Sequence, residues 1–393
     1  MKFDKSYFDR GLERRGTECV KWDAMMDQHG DPDMIPMWVA DMDFESAPAI
    51  QAAISRVAGQ GTWGYTRNGD KDAEALCSFW ARRHGVRFEK ENVLISPCVV
   101  SGMRIAVQAL TEPGDGVLIH TPIYGPFFES VRGSGRLVVE TPLISDENGR
   151  YTISFVEMEE KLASGEARAV MFCSPHNPCG RVWTHEELEQ VVALCRKYKA
   201  PLICDEIHAD FVYAPGRHVS LMSLVGPEDT AVMLCAASKT FNVAGLQQSS
   251  MVSRNPEVLE KLKAQRDRSG VTFGNPFALA ATRAAYTECD DWLDGLIAYL
   301  ADNRDFVMQH AANVWPGIRV TPLEGTYLMW LDCRALGLEQ KALIEAVQAA
   351  HVCVTDGLFF GSRGEGFIRL NIGCPRSQVE AALHQLDTIF AKP

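Results

Sequence analysis

The chain has 393 residues, 46% of them hydrophobic, and a formal net charge of −12. It exceeds the length at which one core stops growing, so two units are expected, and the acid excess argues against nucleic acid and anionic membrane surfaces, which select basic patches. No run approaches the ~20 apolar residues of a membrane helix. The first segment, MKFDKSYFDRGLERRGTECVKWD, alternates charges with aromatics and has no signal-peptide stretch, so a cytoplasmic protein is expected.

In chain order, the first informative stretch runs from a strand at Asn92 to Ile95, through the breaker Ser96-Pro97, into Cys98-Val99-Val100-Ser101-Gly102 and an amphipathic helix from Met103 to Leu110. A helix start directly after a strand offers backbone N–H groups to a phosphate. The turn Glu112-Pro113-Gly114-Asp115-Gly116 introduces a strand at Val117-Leu118-Ile119. There follows TPIYGPF (121–127), where Tyr124 between two prolines sits in a stiff loop suited to stacking on another ring, or simply to packing.

Residues 169–180, AVMFCSPHNPCG, read as a strand broken by a Pro-rich turn that presents Asn177. Glu186 to Tyr198 reads as a helix. The run Pro201, Leu202, Ile203, Cys204 is a buried strand delivering Asp205 to its carboxyl end, and Ala231 to Cys235 delivers Ser238 and Lys239 in the same way. In open α/β sheets ligands bind where the carboxyl ends of strands meet a crevice. Asp-Glu after a strand is also a common helix-capping pair, and a lone lysine after a turn is commonly solvated, so neither segment decides the matter alone. Together they supply what pyridoxal phosphate requires: an amine for its aldehyde and a carboxylate to keep its ring nitrogen protonated.

A helix is expected from Asn255 to Arg266, and a longer one from about Asp290, where Trp292, Leu293, Leu296, Ile297 and Leu300 recur at helical spacing. Strands at 325–332 and 366–373 around a helix from Gln340 to Ala350 complete a smaller α+β unit. Of the twelve cysteines, Cys173, Cys204 and Cys235 lie within apolar strands as small hydrophobes. No C-x-x-C occurs, and no cysteine–histidine spacing suits zinc. His120, His176 and His185 are expected to be structural or surface groups.

The NPxG turn, the aspartate with a histidine three residues on, and S-K-x-F-N, in this order, resemble the fold-type I pyridoxal phosphate enzymes of the aspartate aminotransferase superfamily. IPMWVADMDF (35–44), GTWGYT (61–66), CDEIHAD (204–210), SKTFNVAGLQ (238–247) and FIRLNIGCPR (367–376) are similar to its cystathionine β-lyase branch, typified by MalY and PatB. The resemblance implies an α/β fold with a mostly parallel seven-stranded sheet flanked by helices over residues 51–289. It adds a smaller α+β domain made of 290–393 with the N-terminal arm 1–50. The cofactor implied is pyridoxal 5'-phosphate.

Residue by residue, the resemblance makes Lys239 the cofactor-anchoring lysine and Asp205 the partner of the ring nitrogen. Asn177 and His208 become partners of the ring oxygen, and Tyr124 the stacked ring. The amides of Val99 and Val100 with the Ser238 hydroxyl become phosphate ligands, and Tyr65 a phosphate and substrate contact supplied across a homodimer with shared sites. Arg369 is implied as the clamp for the substrate α-carboxylate, with Ala40 beside it. Ala236 and Gln247 stand where many superfamily members carry a hydroxyl and a phosphate-binding arginine. The implied reaction is carbon–sulfur β-elimination on a small amino acid such as cystathionine or cysteine, giving a thiol, pyruvate and ammonia. Residue types alone leave open an aminotransferase, which uses the same lysine and aspartate, and a non-catalytic regulator on this fold.

Overall fold

The computed structural model describes residues 3–67 and 69–391. Its centre is a seven-stranded sheet of β1 Val93–Ser96, β2 Gly116–Thr121, β3 Leu137–Pro142, β4 Ala169–Cys173, β5 Leu202–Asp205, β6 Ala231–Cys235 and β7 Ser249–Val252, in the spatial order β1-β7-β6-β5-β4-β2-β3. From β6 to β3 every pairing is parallel. β7 runs antiparallel to both β6 and β1. Two reversals restore direction, so β1 points the same way as the parallel strands and its carboxyl end lies on the same sheet edge.

Strand residues alternate between two apolar layers, as the two-residue period of a pleated sheet requires. Val117 and Ile119, Ala169 and Met171, Ile203, and Val232 and Leu234 enter the layer shared with the helices Val99–Leu110, Pro126–Arg132 and Pro256–Arg268. Leu118, Val170 and Phe172, Leu202 and Cys204, and Ala231 and Met233 enter the opposite layer with Phe155–Ala163, His185–Tyr198 and Pro276–Glu288. Burial on both faces explains why these strands read as unbroken apolar runs rather than as alternating ones.

The helix after β1 starts at Val99, four residues earlier than the Met103 expected. Gly102 is inside it and does not break it. A Cβ there would lie 3.2 Å from Leu234 Cδ2 and 3.4 Å from Ser96 Oγ, so the glycine permits close helix–sheet approach. His176 bonds Pro122 O and His120 bonds Thr141, structural roles as expected.

The helix Asp290–Val314 leads to a second sheet of β8 Arg319–Val320, β9 Leu328–Asp332, β10 Thr355–Asp356 and β11 Phe367–Asn371, ordered β8-β9-β11-β10. The N-terminal arm joins this unit: Ile35–Pro36 pairs in parallel with Val352–Cys353. Residues 37–44 then run between the two sheets. Asn371 N donates to Met37 O at 2.8 Å, and Asn242, just past β6, takes Met42 N at 2.9 Å and donates to Phe44 O at 3.0 Å. Among the described residues no helix is long and apolar enough to cross a membrane.

The arm is anchored by charge as well. Lys21, with a side-chain exposure of 0%, places Nζ 2.8 Å from Asp43, itself 1% exposed. Asp43 also accepts from Arg14 at 2.8 Å and Trp22 at 3.0 Å. Burial raises the Asp43 carboxyl, but Lys21, Trp22 and Arg14 outweigh it and hold the group below its ordinary range. This depressed value stabilises the fold above the unfolded carboxylate range and the contribution is lost as acid titrates the folded group. Lys21→Ala is therefore expected to lower the unfolding free energy by about 3 kcal/mol at neutral pH, the low end for breaking a buried pair because Arg14 remains. Denaturant unfolding checks this, and the deficit should shrink only in acid strong enough to titrate the folded Asp43, below the ordinary carboxylate range.

Candidate active site

Because the strands run in one direction at this edge, the loops leaving β1, β2, β4, β5 and β6 gather over it. Register sets Cys173 opposite Asp205 and Asp205 opposite Leu234, so three strands end level. A cavity of about 170 Å³ opens there, lined by Val99, Val100, Tyr124, Asn177, Asp205, His208, Ser238, Lys239 and Ala40. Segments separated by nearly 200 residues of chain thus meet in one place, and nine of the expected site residues share it.

Lys239 lies in a short helical turn, Ala237–Thr240, and Nζ donates to Ala40 O at 2.5 Å. Burial is the main force on this amine and, with Arg369, outweighs Asp41 and Asp205, bringing it down to about 8. About a tenth of it is then an uncharged nucleophile at pH 7. Asp205 is pushed up to about 7, chiefly by burial and further by Glu206, against the Ile207 amide and Lys239. One of its oxygens accepts from Ile207 N at 3.0 Å, and no protein donor reaches the other among the described residues. A cationic N–H ligand would supply the missing partner and draw the carboxyl back to its charged form.

Asn177 Oδ1 accepts from Arg369 at 3.1 Å, which leaves its amide hydrogens as donors for an oxygen in the cavity. His208 is driven down to about 3, mainly by burial, so it is neutral, and its Nδ1 has no partner. Tyr124 is fixed through its backbone, N donating to Asn177 O at 3.2 Å. At the other end of the cavity the amides of Val99 and Val100 open the helix Val99–Leu110 behind the extended Cys98, where first-turn N–H groups have no intrahelical acceptor. Together with the Ser238 hydroxyl they can take an anion. Among the described residues Lys239 is the only lysine or arginine in the lining, so an anion here rests on amides and hydroxyls.

Two expected residues lie elsewhere. Arg369 on β11 is buried but stands behind Asn177 rather than in the lining; Nη2 is held by Trp38 O at 2.9 Å and Thr355 Oγ1 at 3.1 Å, and Nε has no partner. Burial lowers this guanidinium to about 10 against Tyr124 and Tyr327. Tyr65 is 91% exposed, its ring 4.9 Å from that of Phe273, and it does not line this chain's cavity. Conversely, Gln248 and Gln247 line the cavity without having been expected as ligands. They precede β7, whose amino end reaches this edge because the strand is antiparallel, a direction no local pattern signals.

Residues 32–386 match the aminotransferase class I and II family. The chain is 36% identical to cystathionine β-lyase PatB of Bacillus subtilis, over 96% of this chain and 98% of PatB, and 34% identical to protein MalY of Escherichia coli, over 95% and 96%. The crystal structure of cystalysin from Treponema denticola, which contains a pyridoxal 5'-phosphate cofactor, superposes with a TM-score of 0.93 at 31% identity, covering 97% of this chain and 98% of that one. The chain belongs to the aminotransferase class I and II family, on the branch that includes PatB and MalY.

A raised carboxyl favours the fold below the unfolded value near 4, and that favour is lost as pH climbs through about 7. Asp205→Asn cannot ionise and keeps it. In cofactor-free protein the variant should be more stable than the parent by up to about 4 kcal/mol above roughly pH 8 and equal to it near pH 4, as read by thermal unfolding across pH.

Proposed function

We propose that this member of the aminotransferase class I and II family is a pyridoxal 5'-phosphate-dependent carbon–sulfur β-lyase that converts cystathionine, cysteine or related S-substituted cysteines to a thiol, pyruvate and ammonia. The observation that carries the reading is one cavity faced by a buried amine, a buried carboxyl with one oxygen that no described residue donates to, and an amide whose hydrogens are free. Those groups fit the cofactor's aldehyde, ring nitrogen and ring oxygen. The kinship with PatB, a cystathionine β-lyase, points to the reaction.

When bound, the cofactor supplies a ring that accepts the electron pair left at a substrate carbon that has lost its proton. The chain's own residues do the rest. Lys239 would hold the cofactor's aldehyde and, as a free amine beside the substrate, would be the base for the Cα proton. Asp205, charged once paired, keeps the ring nitrogen protonated. Asn177 and His208 would bond the ring oxygen, Tyr124 would pack against the ring, and the first-turn amides of Val99 and Val100 with Ser238 would hold the phosphate. Arg369 has three of its five donors occupied, and its unpartnered Nε–H would take an oxygen of the α-carboxylate beside Ala40. With the Cα proton on Lys239, the Cβ–S bond breaks and its electrons leave on sulfur, which carries charge well because thiols have pKa near ~8.5. Water then releases the remaining three carbons as pyruvate and the nitrogen as ammonia.

The reading includes a homodimer in which Tyr65, exposed beside Phe273, completes the site of the other copy. Two-fold dimers are the commonest assembly. It includes a large unit over 51–289, a second unit of 1–50 with 290–393, and a place in the cytoplasm. Sedimentation at working concentration tests the assembly: a fully active monomer would remove Tyr65 from the site.

Incubation with cystathionine should yield pyruvate and homocysteine in equal amounts. A keto acid that retains the sulfur would instead make the protein an aminotransferase. Lys239→Ala should lose the visible absorbance of the bound cofactor and nearly all turnover; unchanged absorbance would sink the cofactor assignment. Arg369→Ala should keep the absorbance but lower kcat/KM by roughly two orders of magnitude, with partial recovery in Arg369→Lys because an ammonium cannot reproduce the planar fork.

A further inference from the structure

One backbone oxygen beside the amine has two suitors. Lys239 Nζ donates to Ala40 O at 2.5 Å, and the Tyr327 hydroxyl donates to the same oxygen at 3.0 Å. That oxygen is held in place. Asn371 Nδ2 donates to Val39 O on one side of Ala40 and to Asp41 O, at 2.7 Å, on the other. The tyrosine is equally fixed, fully buried, with its ring edge-on to Phe211 at 4.8 Å and to His208 at 6.0 Å.

We propose that Tyr327 is a positioning residue for Lys239, whose hydroxyl, by sharing the Ala40 carbonyl, weakens that oxygen's hold on the ammonium and so keeps the amine in its basic form. The inference deepens the lyase reading and rests on Lys239 being the cofactor-binding base. An amide oxygen stabilises a buried ammonium through a charge-assisted hydrogen bond. A second donor draws on the same lone-pair density and sets the positive end of an O–H dipole near the cation, and both effects disfavour the protonated amine.

The charged groups facing Lys239 come from three elements. Asp41, from the arm, and Asp205, from β5, favour its ammonium, whereas Arg369, from β11, opposes it. Burial raises the Tyr327 hydroxyl well above an ordinary phenol, so it stays a donor throughout the working range. The tyrosine is thus a fixed dipole rather than a second titrating group.

The experiment uses full-length Tyr327→Phe. Protein stripped of cofactor is mixed with pyridoxal 5'-phosphate from about pH 6 to about pH 10, and the rate at which visible absorbance appears is followed, since only the uncharged amine attacks the aldehyde. In Tyr327→Phe the inflection should rise by about one pH unit, slowing capture near neutrality roughly tenfold, with the final amount of bound cofactor unchanged. The acid limb of the kcat profile should move in the same direction. Asp41→Asn, which removes a charge favouring the ammonium, should move the inflection down and shows that the assay reports Lys239. An inflection in Tyr327→Phe that is unmoved or lowered overturns the proposal, whatever happens to the unfolding midpoint. Absorbance developing in Lys239→Ala would instead overturn the cofactor reading itself, independently of Tyr327.

Discussion

The irregular stretch 37–44 is the constraint on which the site depends, because its backbone is hydrogen-bonded at once to side chains of the second sheet and to side chains of the segment that follows β6. Trp38 O holds Arg369 and Thr355, Val39 O and Asp41 O hold Asn371, Ala40 O holds Lys239 and Tyr327, and Met42 and Phe44 hold Asn242. A segment outside any ladder would otherwise leave these carbonyls unpaired in the interior, which costs of order 1–3 kcal/mol each. Satisfying them with side chains rather than with another strand places the amine and the guanidinium on one short piece of backbone. The buried ion pair of Lys21 and Asp43 then secures that piece from its outer side.

The cavity and the guanidinium behind it concentrate groups that destabilise the fold when nothing is bound. Lys239, Asp205, His208 and Arg369 are all displaced from their ordinary values chiefly by burial, each toward its neutral form. A ligand with an aldehyde and a cationic ring nitrogen reverses part of this, so its binding is linked to stability. Perturbed groups gathered in one cleft are what a catalytic site requires and what a purely structural core avoids.

Behind the cavity a further polar layer prevents these residues from moving. Asp210 accepts from His84 at 2.9 Å and from Thr240, the neighbour of Lys239, at 2.7 Å. Glu206, next to Asp205, accepts from His218 at 2.7 Å and from Leu221 N at 2.6 Å. Each pair ties the end of a central strand to a separate part of the chain, so the acid and the amine stand on braced backbone.

The amino-acid sequence by itself determined the elements and the chemistry at their ends. Apolar runs of four or five residues ending in Asp205, Cys173 and Cys235 specify strands buried on both faces, and the residues that follow them must emerge at the edge where parallel strands finish. Lys239, Asp205, Asn177 and Tyr124 were legible for that reason. Helix starts were less so: the helix after β1 begins at Val99 rather than Met103, and the closeness of Gly102 to Leu234 shows that glycine as a contact inside it. What tertiary structure alone decided depends on direction and on distant partners. The reversal of β7 brings Gln247 and Gln248 to the cavity, the path of residues 37–44 gives Lys239 its acceptor, Arg369 comes to rest behind Asn177, and Tyr65 stays on the surface. Backbone carbonyls carry no residue-specific signature, so a contact such as that of Tyr327 and Lys239 with Ala40 exists only once two hundred residues of chain have closed around it.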